Sequence, residues 1–352
     1  MKKKEEKKIK KCKNCGGNLV FSPSLQSLFC NHCESSYEIE KDQTKSYHDV
    51  LTTVKPNEKD DVFLREGVIF NCENCGGQIV LTSNEFAKKC PYCGGYNIQM
   101  SNENITISPD SIIPFEIEKE RAAELYVAAM KKKHFIPNAF KKSPPIDDIY
   151  GVYIPTMSYN ADSNSTYFGE IREEHTKLNS DGLSETYYTY RRISGSISEI
   201  HRNVLVESSS YMNQLEFESV SGFDYSKLYT FDEDFVRGFY VEYHSSPLKV
   251  CTEVAHTIMR NQIERAIKSK YRGKDVVNLR ITPTFRNEIF SYYLLPVYKC
   301  DYVFKNKHYS AFINGQTGRV GGFPPKSKLK ISLLVISLIL LFGAFISLFF
   351  IF

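Results

Sequence analysis

Eight cysteines stand in two copies of one pattern. Cys12-Lys-Asn-Cys15-Gly-Gly is followed by Cys30-Asn-His-Cys33; sixty residues on, Cys72-Glu-Asn-Cys75-Gly-Gly is followed by Cys90-Pro-Tyr-Cys93. Fourteen residues separate the two CxxC pairs in both copies. The intervening text also matches, Gly17-Asn-Leu-Val-Phe against Gly77-Gln-Ile-Val-Leu. Thiolates at this spacing form a closed tetrahedral shell, which favours Zn²⁺ as a structural ion and leaves no open position for chemistry. The expectation is two Zn²⁺ per chain. One sits on Cys12, Cys15, Cys30 and Cys33, the other on Cys72, Cys75, Cys90 and Cys93. Crossed pairing between the copies, and iron in a rubredoxin-like site, are the alternatives. His32 lies inside a knuckle whose site already has four sulfurs, and reads as a spacer.

The rest of the chain is poor in catalytic constellations. It has no GxxxxGK[ST] loop, so no Walker-type phosphate site. Gly315-Gln-Thr-Gly-Arg-Val-Gly-Gly carries glycines without the lysine or a following helix, and reads as a hairpin turn. Asp232, Glu233 and Asp234 read as an exposed acidic loop. His134, His175, His201 and His256 are scattered over helical and strand-like text, with no HxxxH and no linked nucleophile. Cys251 and Cys300 stand among apolar residues as packed thiols. The expectation is a protein that is not an enzyme.

The elements that must hold the cysteines follow from local pattern. In each copy a CxxCGG turn leads into a short strand. A polar turn follows (Ser22-Pro23-Ser24, then Thr82-Ser83-Asn84), and a second strand returns to the other CxxC. The glycine pair lets the backbone wrap its N–H groups toward sulfur. Residues 1–11 read as a basic tail, 12–40 as the first zinc ribbon, 41–66 as a linker and 67–100 as the second ribbon. Residues 108–322 read as an α+β domain rich in antiparallel strands. Its first helix runs from Glu118 to Lys133, with Ala122, Leu125, Tyr126, Ala129 and Met130 on one stripe. Pro137 ends it. A second helix covers Glu253 to Tyr271. Strand-like text fills Tyr150 to Glu207 and Val277 to Thr282, with a turn at Asn179-Ser-Asp-Gly182, and Tyr292 to Phe304 and His308 to Ile313 read as a closing hairpin pair.

Length allows two small metal modules and one sizeable core in 352 residues. Net charge is a mild +4, gathered at the N-terminus, where Met1 to Lys13 hold eight lysines and two glutamates. Such a run reads as a solvated tail, with contact to anionic lipid or, weakly, to nucleic acid as the alternative. Between Cys15 and Cys33 there is no Lys or Arg. The first ribbon offers Phe21 and Phe29, and the second Phe86, Lys88 and Lys89, which is thin support for nucleic-acid binding. No secretory signal is visible, and zinc thiolates suit a reducing compartment. Ile331 to Phe352 carries no charge. As a helix of about 33 Å it is expected to cross the membrane once. Lys326, Lys328 and Lys330 precede it, so the expected localisation is the cell membrane with the N-terminal part cytoplasmic.

Several segments together resemble a family of bacterial membrane proteins with a transcription-factor-IIB-type zinc ribbon, often labelled primosomal helicase-like. They are Cys12-x2-Cys15-Gly-Gly with Phe21-Ser-Pro-x-x-Gln-Ser-Leu-x-Cys30, Ile113-Pro-Phe-Glu-Ile, Phe135-Ile-Pro-Asn-Ala-Phe140 and Gly151-Val-Tyr-Ile-Pro155. Phe235-Val-Arg-Gly-Phe-Tyr240 and Leu294-Leu-Pro-Val-Tyr298 with Ala311-Phe-Ile-Asn-Gly-Gln-Thr-Gly318 complete the set. The resemblance implies zinc, a membrane tail and no established catalysis, and hands over no catalytic residue. The expected role is a membrane-anchored adaptor or scaffold whose ribbons bind a protein partner; the alternative is a tethered nucleic-acid-binding protein.

Overall fold

A computed structural model describes residues 11–44, 46–50, 67–74, 76–82, 90, 98–100, 108–142, 149–180, 182–209, 212–242, 244, 246–305 and 307–351. The early strands are β1 (Val20–Ser22), β2 (Ser27–Phe29), β3 (Ser36–Tyr37), β4 (His48–Asp49), β5 (Gly67–Cys72), β6 (Gln78–Thr82), β7 (Ile98–Met100) and β8 (Ser111–Ile112). The later strands are β9 (Ile149–Leu178), β10 (Ser184–Glu207), β11 (Tyr229–Thr230), β12 (Tyr240–Glu242), β13 (Asp275–Phe304), β14 (Lys307–Asn314) and β15 (Val320–Gly322). Four helices are described: α1 (Lys119–Lys132), α2 (Gln214–Val220), α3 (Leu248–Lys270) and α4 (Lys328–Ile351). The class is α+β, and nearly all strand pairs are antiparallel; β12 with β9 and β13 with β8 are the parallel ones.

Three strands dominate. β9 and β13 have 30 residues each and β10 has 24, against a usual strand of about 5–6. β9 is central, paired with β10 on one side and β13 on the other. Where local pattern marks several separate strands, the chain runs through as one, because register shifts bend it instead of ending it. The shifts fall between His201 and Val204, Val277 and Arg280, and Arg286 and Ile289. Each contains an asparagine in the left-handed region: Asn203 at φ 51°, Asn278 at 52° and Asn287 at 52°. Asparagine tolerates that conformation, and a bulge increases twist.

The near half of β9 is buried on both faces. Tyr153, Met157, Tyr159 and Ala161 enter one cluster with α1 and the first ribbon, while Val152 and Ile154 enter another with α2 and the second ribbon. The far half carries a smaller cluster, in which Tyr167 and Ile197 meet Ile263 and Ile267 of α3. Helix α3 starts at Leu248, five residues before the patterned stretch. Pro247 precedes it, a position where a missing N–H leaves no bond unmade.

One expectation is corrected. Among the described residues no helix is long and apolar enough to cross a membrane. The transmembrane helix at 331–352, the single-pass membrane localisation and the cytoplasmic orientation drawn from Lys326, Lys328 and Lys330 are withdrawn.

Candidate metal centre

β1, β2 and β3 form the first ribbon's sheet, with Val20 opposite Phe29 and Phe29 opposite Ser36. Two knuckles hang from it. In the first, the Gly16 amide donates to the Cys12 carbonyl at 2.8 Å and the Cys12 amide to Gly17 at 2.9 Å. In the second, the Glu34 amide donates to Cys30 at 2.8 Å and the Cys30 amide to Ser35 at 3.0 Å. The residue after each second cysteine takes the left-handed conformation, Gly16 at φ 73° and Glu34 at φ 62°. The two halves thus share one backbone path and aim two thiols each at one point.

The four sulfurs of Cys12, Cys15, Cys30 and Cys33 all lie within 4.8 Å of one another. Cys12 and Cys33 are 3.4 Å apart, Cys15 and Cys30 3.5 Å. A tetrahedral ion with metal–sulfur bonds of about 2.3 Å needs sulfurs about 3.8 Å apart, inside that range. The donor set therefore fits a metal ion of the zinc type. Gly17 packs against the sulfurs so closely that an added Cβ would stand 3.2 Å from Cys30 Sγ and 3.3 Å from Cys15 Sγ. His32 is exposed, as a spacer should be.

Tyr37, Ser35 and Asn14 support the thiols, and the spacing argument missed them. The Tyr37 hydroxyl lies 3.4 Å from Cys12 Sγ and accepts from the Lys13 amide at 3.0 Å. Ser35 Oγ lies 3.2 Å from Cys33 Sγ and accepts from Asn14 Nδ2 at 2.7 Å. Donation from Tyr37, with the Cys15 and Asn14 amides, draws the Cys12 thiol down to about 5. The Ser35 hydroxyl and amide lower Cys33. Cys15 receives help from the Gly17 amide, yet Cys33, burial and the remaining thiols push it up to about 12. Four sulfurs this close cannot all ionise alone; a bound dication removes that obstacle and displaces the protons. The only sequence signal for these residues was position: Asn14 lies inside the first knuckle, and Ser35 and Tyr37 follow the second.

The second copy repeats the first half of this geometry. The Cys72 amide donates to Gly77 at 2.8 Å and the Gly76 amide to Cys72 at 2.7 Å, with Gly76 at φ 76°. Cys72 and Cys90 are buried. Cys75 and Cys93 lie outside the described residues, as do Phe86, Lys88 and Lys89.

Neither ribbon stands apart from the body. Phe21 packs edge-on to Phe235 at 5.6 Å, and its amide donates to Arg237 at 3.0 Å. Gln26 Nε2 donates to the Phe115 carbonyl at 2.6 Å. In the second copy β6 pairs with β12, which pairs with β9, so this hairpin extends the main sheet.

The remaining candidates hold structural places. Asp232 caps a short turn by accepting from the Asp234 amide at 2.9 Å, and Asp234 pairs with Arg237 at 2.7 Å. Cys251 and Cys300 are buried, and burial raises the Cys251 thiol. His201 links three elements: Nε2 to Ser163 Oγ at 2.9 Å and Nδ1 to Gln262 Oε1 at 2.7 Å. Ser163 and His201 are buried. A pocket with room for about one water-sized molecule touches Ser209, Met212, Glu242, Lys299 and Phe312. Beside it, burial raises the Glu207 carboxyl to about 8 against donation from the Ser209 amide, with Glu242 adding to the rise.

No protein-family model matches the chain, and no solved structure matches it significantly. The chain is 26% identical over 326 residues to the uncharacterized protein YdjG of Bacillus subtilis (strain 168), across 92% of this chain and 91% of that protein.

Proposed function

We propose that this chain is a zinc-dependent, non-catalytic adaptor or scaffold, with the ribbons as structural cores that present surface to a protein partner. The observation that carries this reading is the closed four-thiol cluster, which spends every coordination position on protein ligands. Residues of the transcription-factor-IIB-type ribbon pattern support the same reading. The second ribbon holds a second Zn²⁺ through Cys72, Cys75, Cys90 and Cys93; its support is the repeated knuckle bonding at Cys72 and the burial of Cys72 and Cys90. Elemental analysis of reduced, chelator-free protein is expected to find two zinc per chain, and one after Cys12→Ser. A value below one in the parent protein defeats the metal reading.

The adaptor role is tested by titrating DNA and RNA against salt. Lysine-driven binding falls steeply with salt through counterion release. Weak binding at low salt is expected to vanish on deletion of residues 1–11. Tight binding at ~0.15 M salt that survives this deletion and is lost with Cys12→Ser would replace the adaptor by a nucleic-acid-binding protein.

A further inference from the structure

Strand β10 is paired on one side only, with β9. Its other edge meets no strand among the described residues. Toward the core, Lys270 Nζ reaches the Ser196 carbonyl at 3.4 Å and closes the edge there. Beyond that point Ser184 to Arg192 is exposed throughout. Natural edge strands are blunted by proline, lysine or a bulge. This stretch, Ser184-Glu-Thr-Tyr-Tyr-Thr-Tyr-Arg-Arg192, has no proline, glycine or lysine. The register shift of β10 lies far along the strand, between His201 and Val204. Tyr187, Tyr188 and Tyr190 are 43%, 46% and 55% exposed, and threonine and tyrosine are strong strand formers.

We propose that this edge pairs with the same edge of a second copy of the chain, antiparallel about a two-fold axis at Tyr188. Residues directly opposite in an antiparallel pair point to the same face, so a two-fold axis must fall on a residue, not between residues. An axis at Tyr188 sets Glu185 opposite Arg191 of the second copy, and by symmetry Arg191 opposite Glu185. Tyr187 then faces Thr189, Thr186 faces Tyr190, and Tyr188 faces itself. An axis at Arg191 or Arg192 sets like charges on the two-fold. An axis at Gly195 would oppose Arg191 and Glu199, but Lys270 occupies that edge. Glu185 already pairs with Lys177 at 3.3 Å on the same face. Arg191 makes no ion pair among the described residues, so its charge is available. The join turns the three-stranded arm of β10, β9 and β13 into a continuous six-stranded sheet.

The test is sedimentation velocity on the full zinc-loaded chain over a dilution series, with circular dichroism as the folding control. The parent protein is expected to dimerise. Glu185→Arg and Arg191→Glu each replace two attractions by two repulsions, and each is expected to weaken the dimer roughly tenfold or more. The double variant E185R/R191E restores opposite charges and is expected to return to parental association. Association through the exposed apolar side chains of α4 would ignore these charges. A monomeric parent, a dimer unchanged in both single variants, or a double variant that stays monomeric overturns the proposal.

Discussion

At the scale of single residues, the four-thiol cluster is supported by neighbours that are not among its sulfurs. Tyr37 bonds Cys12 and the Lys13 amide together. Outer partners of this kind typically contribute about 10–100-fold in metal affinity. Tyr37→Phe is therefore expected to weaken zinc by about that factor in a competitive chelator titration, with folding intact at saturating zinc. Glu207 gives a pH prediction. Its carboxyl rises from 4.5 to about 8 in the folded chain. Between those values the folded state holds the proton more tightly than the unfolded state, so stability falls as pH rises. The contribution is complete below 4.5 and lost through about 8. Denaturant midpoints measured across this window should decline for the parent and decline less for Glu207→Gln; equal slopes would show that burial of Glu207 is not the cause.

At the scale of elements, three asparagines let strands of exceptional length bend without breaking. Asn287 sits in the left-handed region and donates from Nδ2 to Asp162 at 2.8 Å. A β-branched residue there carries the left-handed penalty of about 1–2 kcal/mol. Asn287→Val is expected to lower unfolding free energy by that order in a urea melt, while Asn287→Gly stays near the parent. The turn after β14 is equally tight. A Cβ added at Gly315 would stand 2.4 Å from the Phe115 ring, so Gly315→Ala is expected to cost about 1–3 kcal/mol through overpacking.

For the whole molecule, the first ribbon is part of the central core. Cys12, Leu19, Phe21, Leu28 and Cys30 join Phe115, Tyr153 and Phe235 in one cluster. Zinc removal should therefore loosen the body as well as the ribbon. Chelation is expected to lower the thermal midpoint of the main transition in calorimetry; an unchanged main transition beside a small separate one would mean that the ribbon folds alone.

The sequence by itself determined the local chemistry. CxxC spacing is local geometry, so Cys12, Cys15, Cys30 and Cys33 and their glycine turns could be read directly. Helix α1 was legible for the same reason, its apolar stripe having the helical period. The ends of β9, β10 and β13 were not. Whether a strand stops at a polar stretch or continues through a bulge depends on the strand beside it, and that neighbour is distant in the chain. Tertiary structure alone decided the places of Tyr37, of Phe21 against Phe235, and of the second ribbon's hairpin at the sheet edge. Each is a contact between segments whose partners no periodicity marks. The uncharged run after Lys330 shows the same limit from the other side: apolarity is a property of the sequence, but what α4 packs against is a property of its surroundings.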